Sequence, residues 1–191
     1  MIGKLAGIYI RCSPESRKTQ WLSAGSAGRI REGMKSGMQI SYYPYTHKTQ
    51  YYETDQMGVI HNSNYFRWFE EARTDFMERV GLPYAKMEEM GLRIAVTDSA
   101  CSYKSPVHYG DEAVVEQRII FFNGYKMTIR YRVFRKSDHA LCALGETRHA
   151  LLSADWKPVR LTKVRPEIYE LFAGYSLPFE AGEDEAVWRD R

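Results

Sequence analysis

Residues 51–73 read YYETDQMGVIHNSNYFRWFEEAR, a glycine-containing loop that leads directly into an amphipathic segment. The apolar side chains of this segment recur three and four residues apart, which is the spacing of one helix face. They are Tyr65, Trp68, Phe69, Ala72, Phe76, Met77 and Val80. Asn62 or Ser63 is a suitable N-cap, and Gly81 followed by Pro83 is a typical helix stop. These signals predict one long helix of about 18 residues, roughly 27 Å in length.

The sequence on both sides of this helix is typical of strands. Residues 38–53 are rich in Tyr and Thr, a composition that suits a strand. Further β-rich runs, separated by turn signals, cover residues 93–104, 112–122, 125–136 and 140–153. Asn123-Gly124 indicates a hairpin, so we expect antiparallel pairing there. With short helices at 83–90 and 166–172, the pattern predicts an α+β domain in which a curved, mostly antiparallel sheet wraps the long central helix.

The two ends of the chain differ in composition from its body. Residues 1–37 carry seven Lys/Arg and two Asp/Glu, whereas residues 38–191 carry 20 and 22. The excess positive charge therefore lies in the N-terminal segment, which argues against nucleic acid as a partner. We expect a poorly structured basic tail over 1–37, one domain over 38–172 and an acidic tail over 173–191. The first tail also fits translation upstream of a start at Met34 or Met38, an organelle transit segment or a genuine extension.

Cysteine and histidine usage restricts the class of protein further. Cys12, Cys101 and Cys142 form an odd, widely spaced set without a paired motif, which favours a reducing cytoplasm. The five histidines lack the close spacing of metal ligands, so we expect no metal and no separate cofactor. The longest apolar run near the start is too short to span a membrane.

The loop before the helix combines two groups that acyl hydrolysis needs. Asp55 supplies a carboxylate, and the free N–H groups at the helix start can polarise a carbonyl oxygen. Gly58 permits close approach of a substrate. The alternative interpretation is that Asp55 is a turn residue whose carboxylate is satisfied by nearby backbone amides.

These residues carry a resemblance to a known family. The pattern D-x-x-G-[VI]-[VI]-x-N-x-x-Y, followed by an aromatic and acidic helix, resembles hot-dog-fold acyl-CoA thioesterases of the 4-hydroxybenzoyl-CoA thioesterase family. CSYKSPVHYGDEAVVEQRI at 101–119 and GETRHALLSADWKPVRL at 145–161 resemble later blocks of the same family. The likeness covers residues 45–172, and three blocks in the same order are far more specific than one short motif.

The resemblance implies roles for individual residues. Asp55 would be the nucleophile or general base toward the thioester carbonyl, and both routes stay open. Asn62 would polarise that carbonyl with its backbone N–H. Gly58 and Val59 would shape the loop around the substrate.

Further residues are candidates for binding an acyl-CoA. Met57, Val59 and Tyr65 are apolar and close to the chemistry, so we expect them to face the acyl group. His61 is either a local hydrogen-bonding residue that lines the pocket or an aid to proton transfer. Lys126 lies where some relatives bind the CoA phosphates, although solvated strand charges are the alternative.

The expected activity is metal-independent hydrolysis of an acyl-CoA to a carboxylic acid and CoA. An acyl-carrier-protein thioester is a second substrate form. Relatives pair two protomers into one sheet, so a homodimer or homotetramer is implied, with the active site at the subunit interface. Two alternatives remain on the same fold: an enoyl-CoA hydratase that uses Asp55 and His61 as a pair, and a non-catalytic acyl-CoA sensor.

Overall fold

The computed structural model of this chain describes residues 43–176. The predicted tail over 1–37 lies outside this range, as do residues 177–191 of the predicted acidic tail. Both therefore remain predictions from composition.

Within residues 43–176 the chain forms five strands and four α-helices in an α+β arrangement. The strands are β1 (Tyr45–Lys48), β2 (Leu92–Tyr103), β3 (Glu112–Phe122), β4 (Lys126–Arg135) and β5 (Leu141–Ser153). The helices are α1 (Ser63–Arg79), α2 (Tyr84–Glu89), α3 (Leu161–Val164) and α4 (Pro166–Gly174), and a 3-10 turn covers Tyr51–Glu53. The four long strands and the long helix are confirmed to within one or two residues.

The strands form one antiparallel sheet in the order β1-β3-β4-β5-β2, which curls over the long helix. The predicted hairpin joins β3 to β4, and its Gly124 has a φ of 82° that favours glycine. In the described part of the chain, β1 and β2 are the two sheet edges. β2 is 12 residues long, so one edge presents a long row of backbone groups.

Helix α1 buries its aromatic face against the centre of this sheet. Trp68 and Phe69 have no measurable exposure, and Ala72 is 1% exposed. The Phe69 ring stacks on Tyr131 of β4 with centroids 4.3 Å apart, and it lies directly over Gly145 of β5. A side chain at position 145 would occupy the space of that ring, so the glycine lets helix and sheet approach closely.

A chain of polar side chains is buried beneath the second half of α1. Arg73 donates to the Tyr131 hydroxyl at 3.1 Å, which pairs with Thr147 Oγ1 at 3.0 Å, and that oxygen lies 2.8 Å from His149 Nε2. Burial, and then the nearby Arg73 charge, lower the pKa of His149 to about 3. His149 is therefore a neutral structural histidine at physiological pH.

The strand predicted over residues 38–53 ends earlier in the structure, whereas residues 38–42 lie outside the described range. Over residues 43–53, the pairing with β3 is made by Tyr45–Lys48, and the chain then turns at Tyr51–Glu53. The turn forms because the Glu53 carboxylate accepts the N–H of Gln50 at 2.6 Å, which draws the backbone out of the extended conformation. Aromatic and β-branched composition favours a strand locally, but this contact overrides it.

No helix in the described range of residues is both long and apolar enough to cross a membrane.

Replacing Gly145 by alanine should destabilise the fold. The added methyl group meets the Phe69 ring, and relieving that overlap shifts either the ring or β5, which costs about 1–3 kcal/mol of unfolding free energy. Urea unfolding followed by circular dichroism measures the loss. Gly174→Ala, at a position with nothing within 4 Å, is the matched control. Equal stability of the two variants would contradict close packing at Gly145.

Candidate active site

The loop that carries Asp55 is a narrow hairpin between the 3-10 turn and α1. We call residues 54–61 the Asp55 loop. The N–H of Asp55 donates to the Val59 carbonyl at 2.9 Å, and the N–H of Gly58 donates back to the Asp55 carbonyl at 3.0 Å. The loop closes at its base, where the His61 N–H donates to the Glu53 carbonyl at 2.8 Å. Gly58 has a φ of 75°, which explains why the turn uses glycine.

The Asp55 carboxylate is half-buried and uses one of its oxygens to hold the turn. Oδ1 accepts the Met57 N–H at 2.8 Å. Oδ1 of Asp55 therefore acts as expected for a turn aspartate, whose carboxylate accepts from a nearby backbone amide. Among the hydrogen bonds within residues 43–176, none uses Oδ2, so this oxygen is left for a water molecule or a substrate.

Asn62 occupies the N-cap position of α1 with helical backbone angles, φ −53° and ψ −33°. Its side chain makes no capping hydrogen bond. Instead, Nδ1 of His61 accepts the Ser63 N–H at 3.3 Å and pairs with the Ser63 hydroxyl at 2.8 Å. Within the described residues, no acceptor binds the N–H of Asn62 itself, so this amide remains at the positive end of the helix dipole.

A buried carboxylate lies behind the Asp55 loop. Glu53 is 3% exposed, and its side chain accepts three hydrogen bonds. Oε1 accepts the indole N–H of Trp68 at 2.8 Å, and Oε2 lies 2.6 Å from the Gln50 N–H and 2.9 Å from His47 Nε2. Burial by itself raises the pKa of Glu53, but the hydrogen bonds from His47, Gln50 and Trp68 outweigh it and lower the pKa below its ordinary value. Glu53 is therefore an anion in the folded protein at neutral pH.

His47 connects this buried carboxylate to the surface. Its Nδ1 lies 2.9 Å from Glu71 Oε2, and its Nε2 lies 2.9 Å from Glu53 Oε2. A carboxylate oxygen only accepts, so a ring nitrogen of His47 donates to its carboxylate only when it carries a hydrogen. The imidazole also packs on Trp68, with ring centroids 5.0 Å apart. Tyr45 completes the cluster by donating to Glu71 at 3.0 Å.

The arrangement of helix, loop and curled sheet agrees with comparisons to known proteins. Residues 49–172 match the family model described as the thioesterase-like superfamily. The chain belongs to this superfamily. The expectation of a hot-dog fold is thereby confirmed.

Proteins from three bacteria show how far the likeness extends. The Aquifex aeolicus protein named "Putative esterase" is 37% identical over 127 residues, 66% of this chain and 94% of that protein. "Putative acyl-CoA thioesterase YneP" of Bacillus subtilis is 32% identical over 120 residues, 63% of this chain and 87% of that protein. The crystal structure of a DHNA-CoA thioesterase from Staphylococcus aureus superposes with a TM-score of 0.66 at 31% identity, covering 70% of this chain and 89% of that one.

The hot-dog fold brings most of the predicted site residues together. Asp55, Met57, Gly58, Val59 and His61 all lie on the Asp55 loop, and Asn62 follows it directly. Met57 is 79% exposed and His61 is also exposed, so both are accessible from solvent in the protomer.

Tyr65 and Lys126 lie apart from this group. Tyr65 is 3% exposed and packs between Trp68 and Tyr103, so within the protomer it supports the helix start from inside. Lys126 begins β4 at the far end of the sheet. β3 begins beside the Asp55 loop and ends at the hairpin before Lys126, and its 11 residues span about 36 Å.

The described thiols are poor nucleophiles. Burial raises the pKa of Cys101 to about 11 and also raises the pKa of Cys142. Both side chains therefore remain protonated near neutral pH, where a thiol reacts slowly. Across residues 43–176, no cluster of His, Cys, Asp and Glu has the geometry of a metal site.

Sequence reasoning missed Glu53 and His47. The only sequence signals were a Gln-x-x-Glu spacing from Gln50 to Glu53 and a tryptophan on the buried helix face, whose indole N–H needs an acceptor. Neither signal identifies the acceptor, because His47, Glu53 and Trp68 meet only after strand and helix have packed.

Proposed function

We propose that this chain hydrolyses acyl-CoA thioesters, with Asp55 as nucleophile or general base and the backbone N–H of Asn62 polarising the thioester carbonyl. The observation that carries the proposal is that a carboxylate oxygen of Asp55 and the backbone amide of Asn62, seven residues further on at the start of α1, both lack a hydrogen-bond partner among the described residues. A thioester needs both an activated oxygen nucleophile and a donor for the developing oxyanion.

As a member of the thioesterase-like superfamily the chain is a thioester hydrolase. The similarity to YneP and to the DHNA-CoA thioesterase supports an acyl-CoA as the substrate form. The narrower assignment to the 4-hydroxybenzoyl-CoA thioesterase family rests on the sequence blocks alone and is part of the proposal.

The geometry supports two routes for the same reaction. In one, Asp55 Oδ2 attacks the carbonyl carbon, the carbon–sulfur bond breaks, and water hydrolyses the resulting mixed anhydride. In the other, Oδ2 takes a proton from a water molecule, whose oxygen attacks the carbon and expels the CoA thiolate. Both place negative charge on the former carbonyl oxygen, where the Asn62 N–H is the donor. The anchored Oδ1 fixes the direction of the reactive oxygen in either route.

The contacts of His61 favour hydrolysis over hydration. A hydratase reading needs Asp55 and His61 as one acid–base pair, but in the described structure these side chains bond to different partners, Met57 and Ser63. A non-catalytic acyl-CoA sensor is an outcome of the experiments below, and an acyl-carrier-protein thioester is a second substrate form that we propose. We propose a cytoplasmic enzyme that needs no cofactor beyond the CoA of its substrate.

The free edge of β2 supports a homodimer. β2 runs from Leu92 to Tyr103, and the Tyr103 hydroxyl donates to the Asn62 carbonyl at 3.2 Å. Lys126 pairs with Ala150, which pairs in turn with Ala95 near the start of β2. If the β2 strands of two subunits pair antiparallel about a two-fold axis, the start of one β2 lies beside the end of the other. Lys126 of the partner subunit then lies near Asn62 of the first subunit, where it can bind a CoA phosphate.

Sedimentation velocity should show a dimer or a dimer of dimers of the 22.2 kDa chain. Val96→Lys places a charge at a half-exposed position on the β2 edge, and two-fold symmetry places a second one on the partner subunit. The dimer Kd should therefore rise by about tenfold or more. Val164→Lys, at an equally exposed position on α3, is the control. A monomeric wild type, or equal dissociation of both variants, would contradict pairing through β2.

Asp55→Asn should lower kcat for acyl-CoA hydrolysis by about 100-fold or more, because it keeps the shape of the side chain but removes the base. Release of free thiol from short, long and aromatic acyl-CoAs measures the rate. Asp155→Asn makes the same chemical change in an exposed turn and should be neutral. Hydrolysis that survives Asp55→Asn would refute the assigned role, and binding without hydrolysis by the wild type would indicate a sensor.

Asn62→Pro should remove the polarising N–H while keeping the helix, since φ −53° suits proline at a helix start. Losing one oxyanion donor lowers kcat by about 10²–10³. Asn62→Ala keeps the N–H and removes the side chain, so it should stay near the wild-type rate. Circular dichroism checks the fold of both variants. An equal loss in both would assign the effect to the side chain instead of the amide.

A further inference from the structure

We propose that Glu53 is the positioning residue of the active site, because its carbonyl and its carboxylate together fix the Asp55 loop against the start of α1. The inference rests on the proposed function, in which Asp55 and the Asn62 amide act on the same carbonyl group. Glu53 itself makes no hydrogen bond to Asp55, and acts through the loop that follows it.

The backbone carbonyl of Glu53 holds the base of the loop. It accepts the His61 N–H at 2.8 Å, which closes the Asp55 loop, and the side-chain amide of Asn64 at 2.8 Å, which belongs to the first turn of α1. Asn64 is 5% exposed, so this second bond is buried. One carbonyl oxygen thus joins the loop that carries Asp55 to the helix that begins after Asn62.

The carboxylate of Glu53 holds that carbonyl in place. Its three donors come from three different segments: His47 on β1, the Gln50 N–H before the 3-10 turn, and Trp68 in the second turn of α1. Trp68 is fully buried and cannot move without disturbing the core. The side chain is therefore fixed from strand, turn and helix, and the backbone of the same residue cannot shift relative to α1.

Only an ionised carboxylate fits this position. All three neighbours present N–H groups, and an acid with no hydrogen of its own can accept from all of them. A glutamine has one acceptor oxygen, and its NH₂ group must face either the Trp68 indole or the Gln50 and His47 donors. A buried donor facing a donor loses a hydrogen bond, so the residue moves and the base of the loop moves with it.

Glu71 is a second carboxylate that bonds to His47, but it lies further from the Asp55 loop than Glu53 does in the chain of hydrogen bonds. Glu71 bonds to His47 and Tyr45 but not to the Asp55 loop, and its side chain is 42% exposed. A role in positioning is therefore expected for Glu53, whose carbonyl closes the Asp55 loop, and for Trp68, which donates to Glu53, but not for Glu71.

A double-mutant cycle with Asp55 separates positioning from general stability. Glu53→Gln should lower kcat about 10- to 100-fold with KM changed less than about twofold, because a small misplacement of a reacting group has that effect. In the Asp55→Asn background the same change should alter the residual rate less than about twofold, since the group being positioned is already absent. Equal factors in both backgrounds would overturn the proposal.

Two further variants keep the inference testable if Glu53→Gln fails to fold. Trp68→Phe removes the indole donor to Glu53 together with part of the buried ring, and should show a smaller loss of kcat with the same dependence on Asp55. Glu116 on β3 accepts hydrogen bonds from Arg132 on β4. Glu116→Gln removes that carboxylate and should leave kcat at the wild-type value. A comparable loss in Glu116→Gln would show that any change in charge slows the enzyme, and would overturn the proposal.

Amide hydrogen exchange tests the same inference without any substrate. In Glu53→Gln the amides of Asp55, Gly58 and His61, which hold the loop closed, should exchange about tenfold faster or more than in the wild type. The amides of β4 and β5 should change less. If no thioester is hydrolysed by the wild type, the proposed function fails while this measurement still decides whether Glu53 holds the loop. Unchanged loop exchange would overturn the positioning role.

Discussion

The packing of Phe69 over Gly145 is the contact on which the rest of the structure depends. The ring stacks on Tyr131 and fills the space that a side chain at position 145 would take, so α1 lies close against the middle of the sheet. This close approach buries Trp68 completely. A buried indole N–H must find an acceptor, and that requirement brings the carboxylate of Glu53 into the interior.

A buried carboxylate is costly unless every neighbour donates to it, and this condition links the core to the site. Glu53 meets the condition with donors from β1, the 3-10 turn and α1. Because its own carbonyl then closes the Asp55 loop, the geometry of the loop follows from the packing of the helix. The Asp55 carboxylate itself makes only local contacts, and one of its oxygens remains free.

The large elements followed from periodicity in the sequence. The 3.6-residue spacing of apolar side chains predicted α1, and alternation with turn residues predicted β2 to β5, because these signals are local and strong. The strand predicted over 38–53 extended too far at its C-terminal end, because the contact between Glu53 and Gln50 bends the chain after β1. Asp55, Gly58 and Asn62 were identified as candidates because the loop and the helix start are adjacent in sequence.

The sequence by itself determined the α+β composition, the loop–helix junction and the residue types at the site, since each depends on contacts within a few positions. Only the tertiary structure decided which atoms remain free for chemistry. It assigned one Asp55 oxygen to the turn, gave His61 to Ser63 as a helix cap, and placed Lys126 at the opposite end of the sheet. It also joined His47, Glu53 and Trp68, which are separated by up to 21 positions in the chain. Such contacts depend on how strand and helix pack, and no local pattern encodes them.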